Sequence, residues 1–349
     1  MIGEIKMKSA IYMGKENVKV IDVPIPVCGD DDVLIKNLYS SVCGTDAAVY
    51  KYGPDTGHKI TLNSEFGHET VSRVVAVGKN VIDFKVGERV YPYPLYAKGD
   101  TSRAGTIGGF SEYILIPNAK RNYSLYPVSD SVSDKTACLI EPFTIACRAV
   151  RRSCPENNES AVVFGCGTIG IACAVILQFW GIKQIMLCDI SDYRLNIASD
   201  LDFKTCNTAK ENFAEKAEGF FKTAKTLNGD TFDADIFIDA AGDESIFQMF
   251  MSKGKIGSRF VSVAVNKSIR KLDLLSLTYS QKSIIGSGGY MPEDVKTVFE
   301  LMESGKWNIE SIITHEYSID NISYALETAS QTDKSLNVVI KFEDGDAFG

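Results

Sequence analysis

The chain has 349 residues, 45% of them hydrophobic and 23% charged, and a formal net charge of −8 at pH 7. This length exceeds the size at which a single core usually stops growing, so two domains are expected. The acidic balance and the lack of a basic cluster exclude a nucleic-acid partner, because phosphate backbones require a concentrated basic face. The apolar runs are shorter than the roughly 20 residues that cross a bilayer. No export signal is visible either, so we expect neither a membrane partner nor export.

The nine cysteines are an odd number, and most of them lie in apolar segments. The clearest cases are Cys138, Cys147, Cys166, Cys173 and Cys188. Buried free thiols explain this distribution better than disulfides do, and free thiols persist in a reducing compartment. The cysteines therefore predict a cytoplasmic protein.

Between about Lys8 and Pro127 the sequence alternates short strand patterns with glycine and proline turns. The strand patterns are Asn17–Val23, Asp32–Tyr39, Thr70–Val77 and Glu112–Ile116. This rhythm predicts an irregular antiparallel barrel or sandwich. A helical pattern follows from Asp134 to Arg152, and we expect it to be interrupted at Glu141-Pro142.

After Arg152 strands alternate with helices, which is typical of a mostly parallel sheet with helices on both faces. The predicted elements are strand Ala161–Phe164, helix Ile169–Trp180, strand Gln184–Cys188, helix Asp192–Leu201, and strands Asp235–Asp239, Arg259–Val265 and Ser283–Ile285. From about Met291 the pattern is helix, strand, helix, strand, ending at Leu336–Phe342. We expect this tail to rejoin the first domain, so that residues 1–152 and 290–349 form one domain and residues 153–289 the other.

The turn Gly165-Cys166-Gly167-Thr168-Ile169-Gly170 predicts a dinucleotide site, because a strand runs into it and a helix begins within it. Gly165 is expected to make the tight turn, Gly167 to admit the pyrophosphate, and Gly170 to let the helix pack on the strand. The pyrophosphate would bind at the positive N-terminus of that helix, beside Thr168 and Ile169. A tight turn without a ligand is the alternative interpretation.

An acidic residue, Asp189, follows Gly170 by nineteen positions, at the end of the next predicted strand. A carboxylate there accepts hydrogen bonds from the adenosine ribose hydroxyls and disfavours a 2′-phosphate, so we expect NAD rather than NADP. Arg194 would suit NADP, but a guanidinium also fits beside the adenine and ribose, and we favour that role. The matching acid makes the ligand-free turn the weaker interpretation.

Two further motifs carry potential metal ligands, Val42-Cys43-Gly44-Thr45-Asp46 and Glu65-Phe66-Gly67-His68-Glu69. Together with Leu139-Ile140-Glu141-Pro142 and the glycine turn, their order and spacing resemble the zinc-dependent medium-chain dehydrogenase/reductase family, which includes alcohol and sorbitol dehydrogenases. The Leu-Ile-Glu-Pro element is most similar to the sorbitol dehydrogenase branch. The resemblance covers nearly the whole chain. It implies a GroES-like irregular β-barrel catalytic domain and a Rossmann doubly wound cofactor domain.

The resemblance implies a catalytic zinc held by Cys43, His68 and a carboxylate from Glu69 or Glu141, with the fourth position left for water or substrate. Zinc bound there acts as a Lewis acid that favours the alkoxide from which hydride departs. Asp46 is implied to orient His68 from behind. Members of this branch differ in the ligating carboxylate, so both glutamates stay open.

Several positions depart from the family pattern. Residues 92–109 contain no cysteine, so the structural zinc that many relatives bind through four cysteines is not expected. Ser72 replaces a family glycine, at some cost in local packing. Ala48 replaces a relay histidine, so the proton relay that is implied to begin at the Thr45 hydroxyl must end differently. Gly289 replaces an arginine of the sorbitol pocket, which puts sorbitol itself in doubt and leaves the polyol class open.

The remaining candidates are carried over from the resemblance alone. Those expected to approach the nicotinamide are Val263, Ala264, Val265, Ser287 and Gly288. Those expected to line the substrate pocket are Tyr50 and Tyr290. Ordinary strand-end structure and packing are the alternatives for both groups. His58 and His315 lie outside any motif and are expected to be structural or solvent-facing.

These features favour a zinc- and NAD-dependent dehydrogenase of a polyol, sugar alcohol or related secondary alcohol. Its partners are then a small-molecule substrate and further copies of the chain, as a dimer or homotetramer. An L-threonine or vicinal-diol dehydrogenase with the same mechanism stays open. A zinc-free quinone or enone reductase is disfavoured, because relatives of that kind lack the cysteine–histidine–glutamate set. A non-catalytic NAD-binding sensor is disfavoured because it needs no metal-activated hydroxyl relay.

Overall fold

The computed structural model describes residues 5–54, 56, 60–98 and 107–343. In these ranges the strands are, in chain order, β1 Lys6–Gly14, β2 Asn17–Pro24, β3 Val33–Ser41, β4 Ser64–Glu65, β5 Glu69–Val77, β6 Arg89–Pro92, β7 Tyr113–Ile116, β8 Leu125–Pro127, β9 Ser160–Phe164, β10 Gln184–Asp189, β11 Lys204–Asn207, β12 Thr223–Thr226, β13 Gly229–Phe232, β14 Ile236–Asp239, β15 Arg259–Ser262, β16 Ser283–Gly286, β17 Ile313–Ser318 and β18 Asn337–Lys341.

The helices of the same ranges are α1 Gly44–Tyr52, α2 Asp134–Ala137, α3 Ile140–Arg152, α4 Thr168–Phe179, α5 Asp192–Asp200, α6 Phe213–Phe220, α7 Glu244–Lys253, α8 Leu274–Ser280, α9 Pro292–Glu303 and α10 Ile322–Ala329. Two short 3₁₀ helices, Ile309–Ile312 and Ile319–Asn321, flank β17. Every helix in the described ranges is too short or too polar to span a bilayer.

The first of two compact units takes in the described residues up to Glu141, together with Met302–Gln331 and the stretch from Asn337 onward. Its main sheet has the order β17-β18-β3-β5-β6-β8, and β7 also pairs with β3. All of these pairs are antiparallel except β17 with β18. The C-terminal strand β18 pairs directly with β3, and β3 is buried along nearly its whole length. β3 is therefore the strand around which this unit is built.

The second unit takes in Pro142–Leu301 and Thr332–Leu336. Its main sheet is entirely parallel and has the order β11-β10-β9-β14-β15-β16. The central strand β9 is buried at every residue and reads Ser-Ala-Val-Val-Phe, because helices cover both faces of a parallel sheet. The strand order reverses between β9 and β14, and such a switch point is where doubly wound sheets bind ligands.

The helical segment 134–152 is interrupted one turn earlier than the sequence pattern predicted. The break falls at Cys138 and Leu139, where the Leu139 N–H donates to the Thr136 carbonyl at 3.1 Å and ends α2. Glu141 and Pro142 instead lie in the first turn of α3. Proline is tolerated there because the first turn has no partner for its missing N–H. The predicted interruption at Glu141-Pro142 was therefore wrong.

The domain boundaries also differ from the predicted ones. Residues 142–152 and 290–301 cluster with the second unit, whereas the sequence pattern assigned them to the first. The reason is a contact between α3 and α9, in which the Arg151 guanidinium donates to the fully buried Asp294 carboxylate at 2.7 Å. Strand β15 ends at Ser262, three residues before its predicted end, and the hairpin β12–β13 was not predicted.

A buried lysine makes the stability of the second unit depend on pH. Lys282 is 8% exposed, and its ammonium donates to the carbonyls of Phe250 and Met251, in the last turn of α7. Burial lowers the pKa of Lys282 to about 8. The unfolded chain, with an ordinary lysine pKa, then binds more protons between about pH 8 and pH 10.5. We expect the unfolding free energy to rise across this window, relative to Lys282→Met, by about 1–2 kcal/mol.

Urea unfolding of both proteins at several pH values between 7 and 10 measures this difference. Comparing the two proteins cancels the titration of all other groups. A difference that stays constant from pH 7 to pH 10 would contradict the assignment of the shift to Lys282.

Candidate active site

Three potential metal ligands converge in the first unit. The Cys43 sulfur, a ring nitrogen of His68 and a carboxylate oxygen of Glu69 all lie within 4.8 Å of one another. His68 and Glu69 are 4% and 3% exposed, so water reaches neither of them freely. Thiolate, imidazole and carboxylate are the ligand types that Zn²⁺ prefers.

The register of two strands produces this convergence. The end of β3 pairs with the start of β5, with Ser41 opposite Glu69. Cys43 follows β3 by two residues and His68 precedes β5 by one, so the pairing carries both ligands to the same place. Gly67 reaches this arrangement with φ +87°, and a side chain there would lie 2.7 Å from the Phe110 ring. Only glycine fits that position.

The site holds an excess of buried negative charge. Burial raises the pKa of the Cys43 thiol, and the charges of Glu69, Asp46 and Glu141 raise it further. Burial also raises the pKa of Glu69, although His68 opposes that shift. For His68, burial lowers the pKa, but the three carboxylates outweigh it and leave the pKa above its usual value. A bound divalent cation would offset this charge, so the donor set fits a metal.

Asp46 provides an independent test of that fit. Its side chain is fully buried, and among the described residues neither carboxylate oxygen has a hydrogen bond of ordinary geometry, although the Cys43 N–H lowers its pKa. One oxygen lies 4.0 Å from Nδ1 of His68. Burial raises the pKa of Asp46 to about 7, with Glu69 adding to the shift and His68 opposing it. A metal ligated by Nε2 would leave Nδ1–H to donate to this carboxylate, which is the usual arrangement behind a metal-bound histidine.

The two candidate carboxylate ligands occupy different positions. Glu69 belongs to the 4.8 Å cluster, whereas Glu141 is not part of it among the described residues. Glu141 is nevertheless buried, and its charge raises the pKa of both Cys43 and His68. Thr45 lies in the first turn of α1, and its hydroxyl donates to the Cys43 sulfur at 3.0 Å. Its part in a proton relay stays a prediction.

The glycine turn has the geometry that close backbone approach requires. Gly165 has φ +95°, and a Cβ on Gly170 would lie 1.7 Å from the Gly165 carbonyl oxygen. The short distance from this Cβ to the Gly165 carbonyl oxygen rules out any side chain at Gly170. Helix α4 begins at Thr168 with Gly167 as its N-cap, and glycine contributes no side-chain cap. A helix N-terminus of this kind favours an anionic ligand.

Asp189 ends β10 beside this turn. One carboxylate oxygen accepts from the Cys166 N–H at 2.6 Å, and the other from Ile190 and Ser191 at 2.7 and 2.8 Å. A carboxylate has about four acceptor positions, so one stays available for a ligand hydroxyl. Arg194 lies close by, since one guanidinium nitrogen is 3.5 Å from the place a Cβ of Gly167 would take. Its Nε donates to the Ser335 carbonyl at 3.0 Å.

The residues that were predicted from the resemblance alone differ in position and burial. Those expected near the nicotinamide follow the ends of neighbouring strands β15 and β16, and they are Val263, Ala264, Val265, Ser287 and Gly288. Tyr50 and Tyr290 are 5% and 4% exposed, and Tyr50 packs in the apolar core of the first unit. This burial favours packing for Tyr50, and its place in a substrate pocket stays a prediction. His315 is half-buried on β17 beside Thr314, and His58 lies outside the described residues.

Sequence reasoning missed a polar chain that supports Glu69. Ser41 lies opposite Glu69 in the register of β3 and β5, and its hydroxyl lowers the pKa of the Glu69 carboxyl. Ser41 in turn accepts a hydrogen bond from the Asn337 amide at 2.9 Å. A prediction of the register between β3 and β5 would have placed Ser41 opposite Glu69. Nothing in the sequence around Asn337 marks it, because it reaches the site only through the pairing of β18 with β3.

The chain matches two models of known protein families. The model of the alcohol dehydrogenase GroES-like domain matches residues 29–129, and that of the zinc-binding dehydrogenase domain matches residues 168–304. The chain is 27% identical to L-threonine 3-dehydrogenase of Escherichia coli O1:K1, over 94% of this chain and 97% of that protein.

Solved structures agree on the fold. The crystal structure of 2R,3R-butanediol dehydrogenase from Bacillus subtilis has a TM-score of 0.83 at 22% identity, covering 97% of this chain and 100% of that chain. Galactitol-1-phosphate dehydrogenase from Escherichia coli has a TM-score of 0.79 at 20% identity, covering 96% and 100%. The predicted fold class, a GroES-like catalytic domain with a Rossmann cofactor domain, is confirmed. The chain therefore belongs to the zinc-dependent medium-chain alcohol dehydrogenases, a family of nicotinamide-dependent oxidoreductases.

Proposed function

We propose that this chain transfers hydride between NAD and a polyol, sugar alcohol or related secondary alcohol at a single catalytic zinc. The observation that carries the proposal is the buried cluster of Cys43, His68 and Glu69, with the fully buried Asp46 carboxylate 4.0 Å from Nδ1 of His68. A sensor that only bound the dinucleotide would have no use for a buried, charge-rich donor set of this kind.

Cys43, His68 and Glu69 would hold the zinc, and Glu141, whose charge raises the pKa of His68, stays the alternative carboxylate ligand. When bound, zinc supplies Lewis acidity that lowers the pKa of the substrate hydroxyl. With zinc bound, Asp46 would accept a hydrogen bond from Nδ1–H of His68, which keeps the ring proton on Nδ1 and leaves Nε2 free to ligate. In this proposal Cys43, His68 and Glu69 ligate the zinc, and Asp46 orients the His68 ring.

The proton that leaves the substrate hydroxyl needs an acceptor within hydrogen-bond reach. Thr45 is our candidate, because its hydroxyl lies beside the Cys43 sulfur and belongs to the same turn as the ligand. Ala48 has no group that passes a proton on. We therefore assign the next steps of the relay to the cofactor ribose hydroxyls and water.

A single zinc per chain follows from residues 92–109, which contain no cysteine. Tyrosines pack against one another at the described start of this segment. Tyr93 contacts Tyr96 and Tyr126 edge-on, with ring centroids 5.0 and 6.0 Å apart. Aromatic pairs of this geometry add about 0.5–1.5 kcal/mol each beyond their area burial, so this region has a metal-free source of stability.

NAD rather than NADP is the proposed cofactor, on account of Asp189. We expect Asp189→Asn to lower the ratio of kcat/KM for NAD to that for NADP by about 10-fold or more, because a charged acceptor to the ribose is lost. The amide oxygen can still accept from the Ile190 and Ser191 N–H groups, but the amide nitrogen cannot accept from the Cys166 N–H. Steady-state rates with both cofactors measure the ratio, and Asp192→Asn on the exposed start of α5 is the control. An unchanged ratio would mean that Asp189 does not contact the ribose.

A second candidate substrate class is L-threonine or a vicinal diol. The similarity to L-threonine 3-dehydrogenase and to butanediol dehydrogenase favours it, and the proposed chemistry at zinc is the same. The two classes differ in what surrounds the hydroxyl, a carboxylate and ammonium in one case and further hydroxyls in the other.

The activity test measures NADH absorbance with a panel of polyols, inositols, sugar phosphates, butanediol and L-threonine. We expect turnover with at least one secondary alcohol, and loss of kcat by about 1,000-fold or more in Cys43→Ala, because the metal is lost. Cys154→Ala replaces an exposed thiol and is the matched control that keeps full activity. If Cys43→Ala and the wild type turned over equally, the zinc mechanism would be wrong.

We further propose a cytoplasmic homo-oligomer, either a dimer or a homotetramer. Nine unpaired thiols support a reducing compartment. The edge strand β16 supports self-association, because it reads Ser-Ile-Ile-Gly and its outer edge has no partner among the described residues. Leu274, Leu275 and Tyr279 on neighbouring α8 are each about two-thirds exposed. An uncharged apolar edge is normally covered, and two identical edges pair about a two-fold axis.

Sedimentation velocity tests the oligomer. Ile284→Lys puts a charge on β16, and we expect it to reduce the sedimentation coefficient to that of a smaller species. Ile82→Lys changes an isoleucine of the first unit that is 89% exposed, against 40% for Ile284, and should leave the assembly intact. A monomeric wild-type protein at micromolar concentration would contradict the proposal.

A further inference from the structure

A fully buried asparagine lies at the centre of β3, one strand away from the proposed metal ligands. The Asn37 amide nitrogen donates to the carbonyls of Gly108, Gly109 and Ser111 at 3.3, 3.2 and 2.7 Å. Its amide oxygen accepts from the Ser72 hydroxyl at 2.7 Å and lies 3.0 Å from the Thr70 hydroxyl, whose single proton it shares with the Tyr39 carbonyl at 2.9 Å. The Asn37 amide therefore satisfies all its hydrogen-bonding capacity inside the protein, in a region where an unmade bond would be costly.

The loop that Asn37 holds, residues 108–111, presses on the backbone that carries His68. The Gly109 N–H donates to the Gly67 carbonyl at 3.0 Å, and the Phe110 N–H donates to the Phe66 carbonyl at 3.1 Å. A Cβ on Gly109 would lie 2.8 Å from the carbonyl carbon of Gly67 and 2.9 Å from the His68 nitrogen. The two backbones touch, so a shift of the loop would shift His68.

Ser72 gives this network its unusual feature. The family resemblance places a glycine at this position, but the chain has serine, and the side chain is fully buried. Its hydroxyl donates the shorter of the two bonds to the Asn37 amide oxygen. Ser72 lies opposite Asn37 in the register of β3 and β5, three residues after Glu69 on the same strand. The serine therefore adds a hydrogen bond that a glycine lacks.

We propose that Ser72 and Asn37 are positioning residues for the zinc site, an inference that rests on the proposed function. Ser72 and Thr70 fix the orientation of the Asn37 amide, and Asn37 holds residues 108–111 against Gly67. That contact sets where His68 stands relative to Cys43 and Glu69. Neither residue touches the metal or the substrate, so both act only through the position of the ligand. Groups that support a metal ligand typically change metal affinity by about 10–100-fold when removed.

The test uses Ser72→Ala, which deletes one hydroxyl and introduces no steric clash. We expect zinc affinity, measured by competition with a chromophoric chelator, to fall by about 10-fold. We also expect the visible absorption bands of the cobalt-substituted protein to shift, because those bands report the ligand geometry. Ser153→Ala removes another fully buried hydroxyl, in the second unit. It is the matched control, and it should change the melting temperature without changing zinc affinity or the cobalt spectrum.

Thr70→Val removes the hydroxyl that the same amide oxygen shares with the Tyr39 carbonyl, and it serves as the second variant if Ser72→Ala does not fold. Zinc affinity and a cobalt spectrum equal to those of the wild type in the folded variants would overturn the positioning role, while the proposed function would stand. A wild-type protein that binds no zinc in the same titration would overturn the proposed function and this inference together.

Discussion

The pairing of the end of β3 with the start of β5 is the constraint on which the catalytic unit depends. With Ser41 opposite Glu69, the turn after one strand and the turn before the other meet. Cys43 and His68 reach each other only through this register, and a slip of one residue would turn Glu69 to the opposite face of the sheet. The same strand, β3, pairs with the C-terminal strand β18 and carries Asn37. One strand therefore connects the ligands, their support and the tail of the chain.

Burial of charge at this register gives the site its chemistry. Three carboxylates and a thiol surround one imidazole in a region that excludes water. Such a set is unfavourable by itself, because buried charges need partners. A dication would satisfy the donors, and the buried Asp46 carboxylate, 4.0 Å from Nδ1 of His68, would then accept a hydrogen bond from Nδ1–H. A bound metal ion would explain why these charged groups are buried together, whereas packing alone would not.

Sequence patterns predicted the parts of this account that depend on local signals. The glycine turn and Asp189 indicated a Rossmann site, because tight turns and strand ends have strong residue preferences. The cysteine and histidine motifs indicated the ligands through resemblance. Three features escaped prediction. The choice between Glu69 and Glu141, the support of Glu69 by Ser41 and Asn337, and the role of Ser72 all depend on contacts between distant segments. Ser72 shows the difficulty well, since a serine in place of glycine indicated only a packing cost until its partner Asn37 was known.

The central claim is that one metal ion sits among Cys43, His68 and Glu69. Zinc per chain, measured by inductively coupled plasma mass spectrometry on protein purified without chelators, tests it most directly. The account predicts one zinc per chain in the wild type and less than a tenth of that in Cys43→Ala, because a site without its thiolate binds zinc poorly. Full zinc occupancy in Cys43→Ala, or none in an intact wild-type protein, would contradict it.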